Sequence, residues 1–156
     1  MSSETSDQRP YLGAMMRVSW QWVWKRIVSG VVAAGYDDLN PAHVGLFRYP
    51  SLDGQRPSEL ADQLQITKQS VNDLLGHLEQ TGYLTRGPDP ADGRARVVRL
   101  TPKGQRLETT IREWALAADQ EISELLGARR YTQLCDALEE LSRHVTSNGT
   151  SSITTK

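Results

Sequence analysis

TKQSVNDLLGHLEQTGYLTRGPDPADGRARVVRLTP, residues 67–102, changes its hydrophobic period within a few positions, and those changes decide the fold. From Lys68 to Gln80 the apolar side chains Val71, Leu74, Leu75 and Leu78 converge on one face at helical spacing. Thr67 suits the N-cap of that helix, and Gly82 suits the left-handed residue that ends it. Two short apolar runs follow, YLTRG and RVVRLT, joined by a loop holding Pro88, Pro90 and Gly93. They predict a β-hairpin whose Leu84, Val98 and Leu100 share one buried face. Thr101 and Pro102 then suit the N-cap and first position of another helix.

Upstream, RPSELADQLQI predicts a short helix opened by Pro57 that buries Leu60, Ala61 and Leu64. Joined to the next helix by a three- or four-residue turn, it completes a helix-turn-helix. Further out, Tyr11 to Ala34 carries two apolar stripes. Leu12, Met15, Val23, Ile27 and Val31 form one; Trp20, Trp24 and Val28 form the other. A helix apolar on two sides contacts two things. DDLNPAHVGLFRYPSLDG reads as a short helix with Asn40 as N-cap and Pro41 at its first position, closed by Asp53-Gly54. After Thr101, Leu107, Ile111, Trp114, Ala118, Ile122 and Leu125 keep helical spacing until Gly127, and a last helix runs from about Arg129 to Val145 with Tyr131, Leu134, Cys135, Leu138 and Leu141 on one face. The expected class is mainly α with a small β-hairpin wing (α+β), a winged helix-turn-helix with flanking N- and C-terminal helices. Residues 1–9 and 147–156 read as frayed polar tails around a single unit, 10–146, with the winged lobe at 40–102.

Composition bounds the rest. The 156 residues hold 18 basic and 19 acidic side chains, for a net charge of −1, so a uniformly basic nucleic-acid binder is excluded. The charge is nevertheless uneven: Arg86, Arg94, Arg96, Arg99, Lys103 and Arg106 face only Asp89 and Asp92 between positions 86 and 106. A single cysteine excludes an intramolecular disulfide, and a polar N-terminus without an apolar span predicts a cytoplasmic chain with no membrane partner. His43, His77 and His144 lie on three different elements without metal-site spacing and read as surface or partly packed imidazoles. No nucleophile and base pair, phosphate loop or paired carboxylates suggests an enzyme or a cofactor.

The outer face of Lys68 to Gln80 is small and hydrogen-bonding. Thr67, Lys68, Gln69, Ser70, Asn72, Asp73 and His77 are the side chains expected to read or approach base edges in a major groove, and Gly76 leaves room for DNA. The loop from Asp89 to Ala95 should project so that Arg94 enters a minor groove, with Asp92 holding it through a bidentate pair. Arg86 and Arg96 are expected on phosphates.

The segment from Arg56 to Leu107 resembles the MarR family of bacterial transcription regulators, in which a wing D-x-R (here Asp92 and Arg94), a following V-x-L-T (Val98 to Thr101) and a T-x-x-G (Thr101 to Gly104) recur together. The resemblance implies a homodimer whose terminal helices, here 10–36 and 103–146, interleave, and which binds a pseudo-palindromic operator in double-stranded DNA. It also implies a ligand-responsive repressor, its effector a small aromatic or phenolic molecule between the dimerisation helices and the DNA-binding lobe. Trp20, Trp24, His43 and Phe47 are the candidate pocket residues. The family often carries arginine where Gly93 stands, so one wing contact is missing or supplied by Arg96. Two other readings of the residues stand beside this: a winged-helix module that binds protein rather than DNA, and a redox-switched regulator using Cys135, which otherwise reads as a small buried core residue.

Overall fold

The computed structural model describes residues 9–47 and 50–148. The described residues form six helices, α1 (Leu12–Ala33), α2 (Pro41–Val44), α3 (Pro57–Leu64), α4 (Lys68–Gln80), α5 (Pro102–Leu126) and α6 (Ala128–Asn148), and one antiparallel hairpin, β1 (Leu84–Pro88) and β2 (Arg96–Leu100), between α4 and α5 in the chain. The chain is mostly helical with a small two-stranded wing, a winged helix. It divides into two compact units, residues 1–115 and 116–156. Most of the expected tails lies outside the described residues, although α6 continues through residues 147–148.

The first unit contains the buried core. Ile27 and Val31 of α1 join Val44, Leu46, Phe47 and Leu52 from the α2 region, Leu60 and Ala61 of α3, and Val71, Leu75 and Leu78 of α4. Tyr83, Leu84, Val98 and Leu100 bring the hairpin into this core, and Leu107 and Ile111 bring α5. The shared hairpin face follows from register, since Leu84 pairs with Leu100 and Arg86 with Val98. Val98 also exchanges backbone hydrogen bonds with the 54–55 segment, its carbonyl accepting from Gly54 at 2.7 Å and its N–H donating to Gln55 at 2.9 Å. The outer edge of β2 is thereby covered.

Local chemistry explains the helix ends. Thr67 Oγ1 accepts from the Ser70 N–H, and Gly82 adopts a φ of 82° after α4. Between α3 and α4, Gln65 takes the left-handed conformation (φ 55°) while its side-chain amide donates to the Asp62 carbonyl. The expected helix from Pro41 toward Asp53-Gly54 is a correction: only one turn forms. Beyond Gly45 the chain instead folds inward, burying Leu46, Phe47 and Leu52 as loop side chains, and Pro50 could not have donated a helical hydrogen bond.

The start of α5 is pinned to the end of α4. Thr101 Oγ1 accepts from the Gly104 N–H and donates to the Gly82 carbonyl, and the Thr101 N–H donates to the carbonyl of Tyr83. A Cβ on Gly104 would lie 2.0 Å from that same carbonyl oxygen, so only glycine permits the approach. Farther along, Gly30 of α1 accommodates the indole of Trp114, which a Cβ would meet at 2.1 Å.

In the second unit, Gly127 (φ 80°) separates the end of α5 from α6, and Leu134, Leu138, Leu141 and Val145 form an exposed apolar row on α6. Cys135 is exposed there, a correction to its expected burial: the α6 face that carries it is not covered. Among the described residues no helix is long and apolar enough to cross a membrane.

Because the obstacle at Gly104 is backbone, Gly104→Ala is expected to destabilise the protein by about 3 kcal/mol, read from its urea unfolding midpoint. A midpoint equal to that of the wild type would remove the close-approach account.

Candidate nucleic-acid interface

α4 buries Val71, Leu75 and Leu78, and this fixes which side chains turn outward. Lys68, Gln69, Ser70, Asn72 and Asp73 are exposed, and the space beside Gly76 is open. Several of these groups are already oriented. Ser70 Oγ lies 2.8 Å from the capping Thr67 hydroxyl, Gln69 Nε2 donates to Asp73 Oδ1 at 2.8 Å, and Asn72 Oδ1 accepts from Arg86 at 3.1 Å. The exposed face therefore offers the Lys68 ammonium, the Gln69 carbonyl oxygen and the Asn72 amide N–H groups in partly fixed directions, which lowers the ordering cost of binding. His77 departs from expectation. Its Nε2 lies 2.8 Å from the Asp38 carbonyl and its ring stacks on His43, so it is occupied within the chain.

The wing distributes its arginines unequally. Arg86 reaches back to α4, pairing with Glu79 at 3.1 Å and bonding Asn72, which clasps the wing to that helix. Arg96 donates to the Arg86 carbonyl at 2.6 Å, and Arg99 pairs with Asp53 at 3.5 Å. Arg94 lies exposed near the wing tip, and among the described residues its guanidinium makes no ion pair. Asp92 does not grip that guanidinium as expected. Its Oδ1 accepts the backbone N–H of Arg94 at 3.1 Å, because a carboxylate two residues upstream in a tight turn meets the main chain first.

Sequence spacing missed the brace at the wing base. Asp89 accepts from Arg56 Nε at 2.7 Å, with Arg56 Nη2 also 2.5 Å away, and from the Ala91 N–H at 2.8 Å. The Ala91 N–H first, and then the Arg56 guanidinium, hold the Asp89 carboxyl below the usual carboxylate range. The loop is therefore tied down above that range and released as pH falls through it. A lone aspartate and a lone arginine 33 positions apart carry no local signal of this contact.

The candidate pocket residues separate. A shallow crevice between α1 and α2 is lined by Gln21, Trp24, Lys25, Val28, Ser29 and Pro41. Trp20 stacks on Trp24 with ring centroids 5.8 Å apart, but His43 and Phe47 are buried in the core and are absent from the lining, a correction to the four-residue set.

A model of the MarR family matches residues 37–95, from the connection after α1 through the wing loop. Over that segment the chain is similar to the MarR family. Among curated proteins it is similar to the transcriptional activatory protein BadR of Rhodopseudomonas palustris, 28% identical over 98 residues that make up 62% of this chain and 53% of BadR. The chain spans about half the length of the curated relatives it matches. Among solved structures it is similar to the transcriptional regulator Tm0710 of Thermotoga maritima, with 27% identity, a TM-score of 0.55, and coverage of 90% of this chain and 99% of that one. CouR of Rhodococcus jostii RHA1, solved bound to p-coumaroyl-CoA, shares the fold at 20% identity and a TM-score of 0.67, covering 90% of this chain and 95% of CouR. CouR is also solved as a transcriptional repressor bound to a 23-mer DNA duplex, at 23% identity and a TM-score of 0.63 over 85% of this chain and 92% of that one.

In this wing, Asp89→Ala should leave the core intact while freeing the loop. Amide exchange at Ala91 should accelerate about tenfold, matching the loss of one hydrogen bond worth roughly 1.4 kcal/mol. Unchanged exchange at Ala91 would show that Asp89 does not brace the loop.

Proposed function

We propose that this protein is a sequence-specific transcriptional regulator that binds double-stranded DNA as a homodimer and, as a repressor, is released by a small ligand. One observation carries the proposal. Beside an exposed, hydrogen-bonding face on α4 stands a wing in which Arg86, Arg96 and Arg99 are engaged within the chain, and which Arg56 braces from the start of α3, while Arg94 is left exposed at the tip. Thr67, Lys68, Gln69, Ser70, Asn72 and Asp73 would meet the major groove. Arg94 would enter the neighbouring minor groove, where a narrow width concentrates negative potential. Arg96 would approach the flanking phosphates, with Asp92 and Arg86 acting as positioning residues for the wing. CouR, which shares the fold, is a repressor solved on a DNA duplex.

The homodimer rests on apolar surface. The α6 row from Leu134 to Val145 and the α1 side chains Leu12, Met16, Val18 and Trp20 are exposed, more apolar area than a solitary chain ordinarily presents to water. The terminal helices are accordingly assigned to dimerisation. Two α4 helices must then sit about 34 Å apart to enter successive major grooves of a pseudo-palindrome. The effector is assigned to the α1–α2 crevice, where Trp24, stacked by Trp20, would lie against a small aromatic or phenolic molecule. The ligand would weaken DNA binding by favouring a different helix spacing. A chromosomal target implies work in the cytoplasm, and no catalytic role is assigned.

The test is selection of duplexes from random-sequence DNA, followed by fluorescence anisotropy on the recovered and scrambled duplexes across a salt series. Preference of about 10³-fold or more with a steep salt dependence is expected. Arg94→Ala should weaken binding to both duplexes, while Gln69→Ala or Asn72→Ala should cost about 1–3 kcal/mol on the selected duplex and relax preference at one base pair. Failure to enrich any sequence would refute the proposal.

A further inference from the structure

The three histidines are dispersed in sequence, yet two of them meet. His43 on α2 is 7% exposed, and its ring lies face to face with His77 of α4, with centroids 4.1 Å apart and planes inclined by 13°. The hydrogen bonding fixes where each ring carries its proton. His43 Nδ1 accepts from the Asn40 N–H at 3.1 Å, while the His43 N–H donates to Asn40 Oδ1 at 3.1 Å, a reciprocal cap on α2. His43 therefore carries its hydrogen on Nε2 and is neutral. His77 Nε2 faces the Asp38 carbonyl, a pure acceptor, and must be a donor.

A further proton on His43 has one place to go, Nδ1, and there it meets the Asn40 N–H donor to donor. It also sets a buried imidazolium against the His77 ring. Burial first, and then His77, hold the His43 pKa below its ordinary value, with Asp38 pulling the other way. Asp38 offers little relief, because its carboxylate already accepts from the Tyr83 hydroxyl at 2.6 Å and lies 3.5 Å from the Lys103 ammonium. Asp37, Lys103 and Arg106 line the crevice beside Asp38 and Tyr83. Charging His43 is therefore incompatible with the closed stack, and the element held by that stack is the helix assigned to base reading.

We propose that the His43–His77 stack is a proton-released latch that positions the recognition helix, so that sequence-specific DNA affinity is full at neutral and alkaline pH and falls on acidification. This rests on the DNA-binding role of α4 proposed above; the titration behind it does not. The sign is diagnostic. Acidification ordinarily tightens DNA binding by adding positive charge against phosphates, whereas an opening latch weakens it. Stability follows the same direction: above about pH 6.5 both folded and unfolded His43 are neutral, and below it the unfolded chain takes up the proton first and stability declines.

The experiment uses a duplex recovered from random-sequence DNA at pH 7.5, with anisotropy measured from pH 8 to pH 5.5 at constant ionic strength. Wild-type affinity for that duplex should fall at least about tenfold while affinity for scrambled DNA holds or rises. His43→Gln retains a side-chain acceptor for the cap but cannot titrate, and should abolish the fall. His77→Gln removes the opposing ring and with it the latch, so affinity at pH 7.5 should already be lowered and the further fall on acidification should shrink; an undiminished fall there overturns the latch. Wild-type affinity that stays level or rises toward pH 5.5, or a fall that persists in His43→Gln, overturns the latch. In parallel, ¹H–¹³C NMR of the imidazoles reads it without DNA. His43 should titrate below the ordinary histidine range, and the Leu75 and Leu78 amides of α4 should move with it. Normal titration of His43, or α4 amides that stay still, overturns the latch even if no duplex is ever recovered, which would itself refute only the DNA-binding role.

Discussion

Tyr83 is the residue on which the winged lobe converges. Only 1% exposed, it lies immediately before β1, and its main chain and side chain serve different neighbours. Its N–H donates to the Leu78 carbonyl and its carbonyl accepts from Thr101, which joins the end of α4 to the start of α5. Its hydroxyl donates to Asp38 while the Lys103 ammonium sits 4.1 Å from the ring centre and donates to the Thr81 carbonyl. Burying a phenol is favourable only when its hydroxyl is bonded, a need that Asp38 meets; burial first, and then the Asp38 carboxylate, push the Tyr83 ionisation upward. The connection after α1, α4, the hairpin and the start of α5 are thus fixed relative to one another by one buried side chain and its peptide.

The same economy governs the charges. Like charges crowded in a wing repel one another, and of its four arginines Arg86 and Arg99 are ion-paired within the chain while Arg96 donates to the Arg86 carbonyl. Arg56 braces the loop through Asp89, Arg86 clasps α4 through Glu79 and Asn72, and Arg99 meets Asp53, whose other oxygen accepts the Leu100 N–H at 2.7 Å. Each pair keeps at least one partner open to solvent, which screens the attraction and limits what it adds to stability. Their consequence is directional: they hold the wing against the helix and leave Arg94 as the exposed cation at the tip. A protein of net charge −1 can in this way present a local positive point without a basic surface.

Most of the scaffold was legible in the sequence. The helical spacing of Val71, Leu75 and Leu78, the alternation around Leu84 and Val98, and the caps at Thr67, Gly82 and Gly127 are local signals, and the elements form where those signals stand. The signal failed where local and tertiary demands diverged. Leu46 and Phe47 carry apolar side chains after a well-capped helical start, but the core draws them inward as loop residues and the helix stops after one turn.

By itself, then, the sequence determined element order, the buried faces of α3 and α4, the buried face of the hairpin and the residue types on the outer face of α4, because all of these depend on spacing within a few positions along the chain. Only the tertiary structure decided which polar groups are spent and which remain. His43 and His77 read as separate imidazoles until packing stacked them; Asp89 read as a loop residue until Arg56 reached it; Arg86 carried no sign of Glu79 until the fold brought them together. The physical reason is range. Hydrophobic periodicity is a property of neighbours in sequence, whereas a hydrogen bond or ion pair is made with whichever group the folded chain delivers to within about 3 Å.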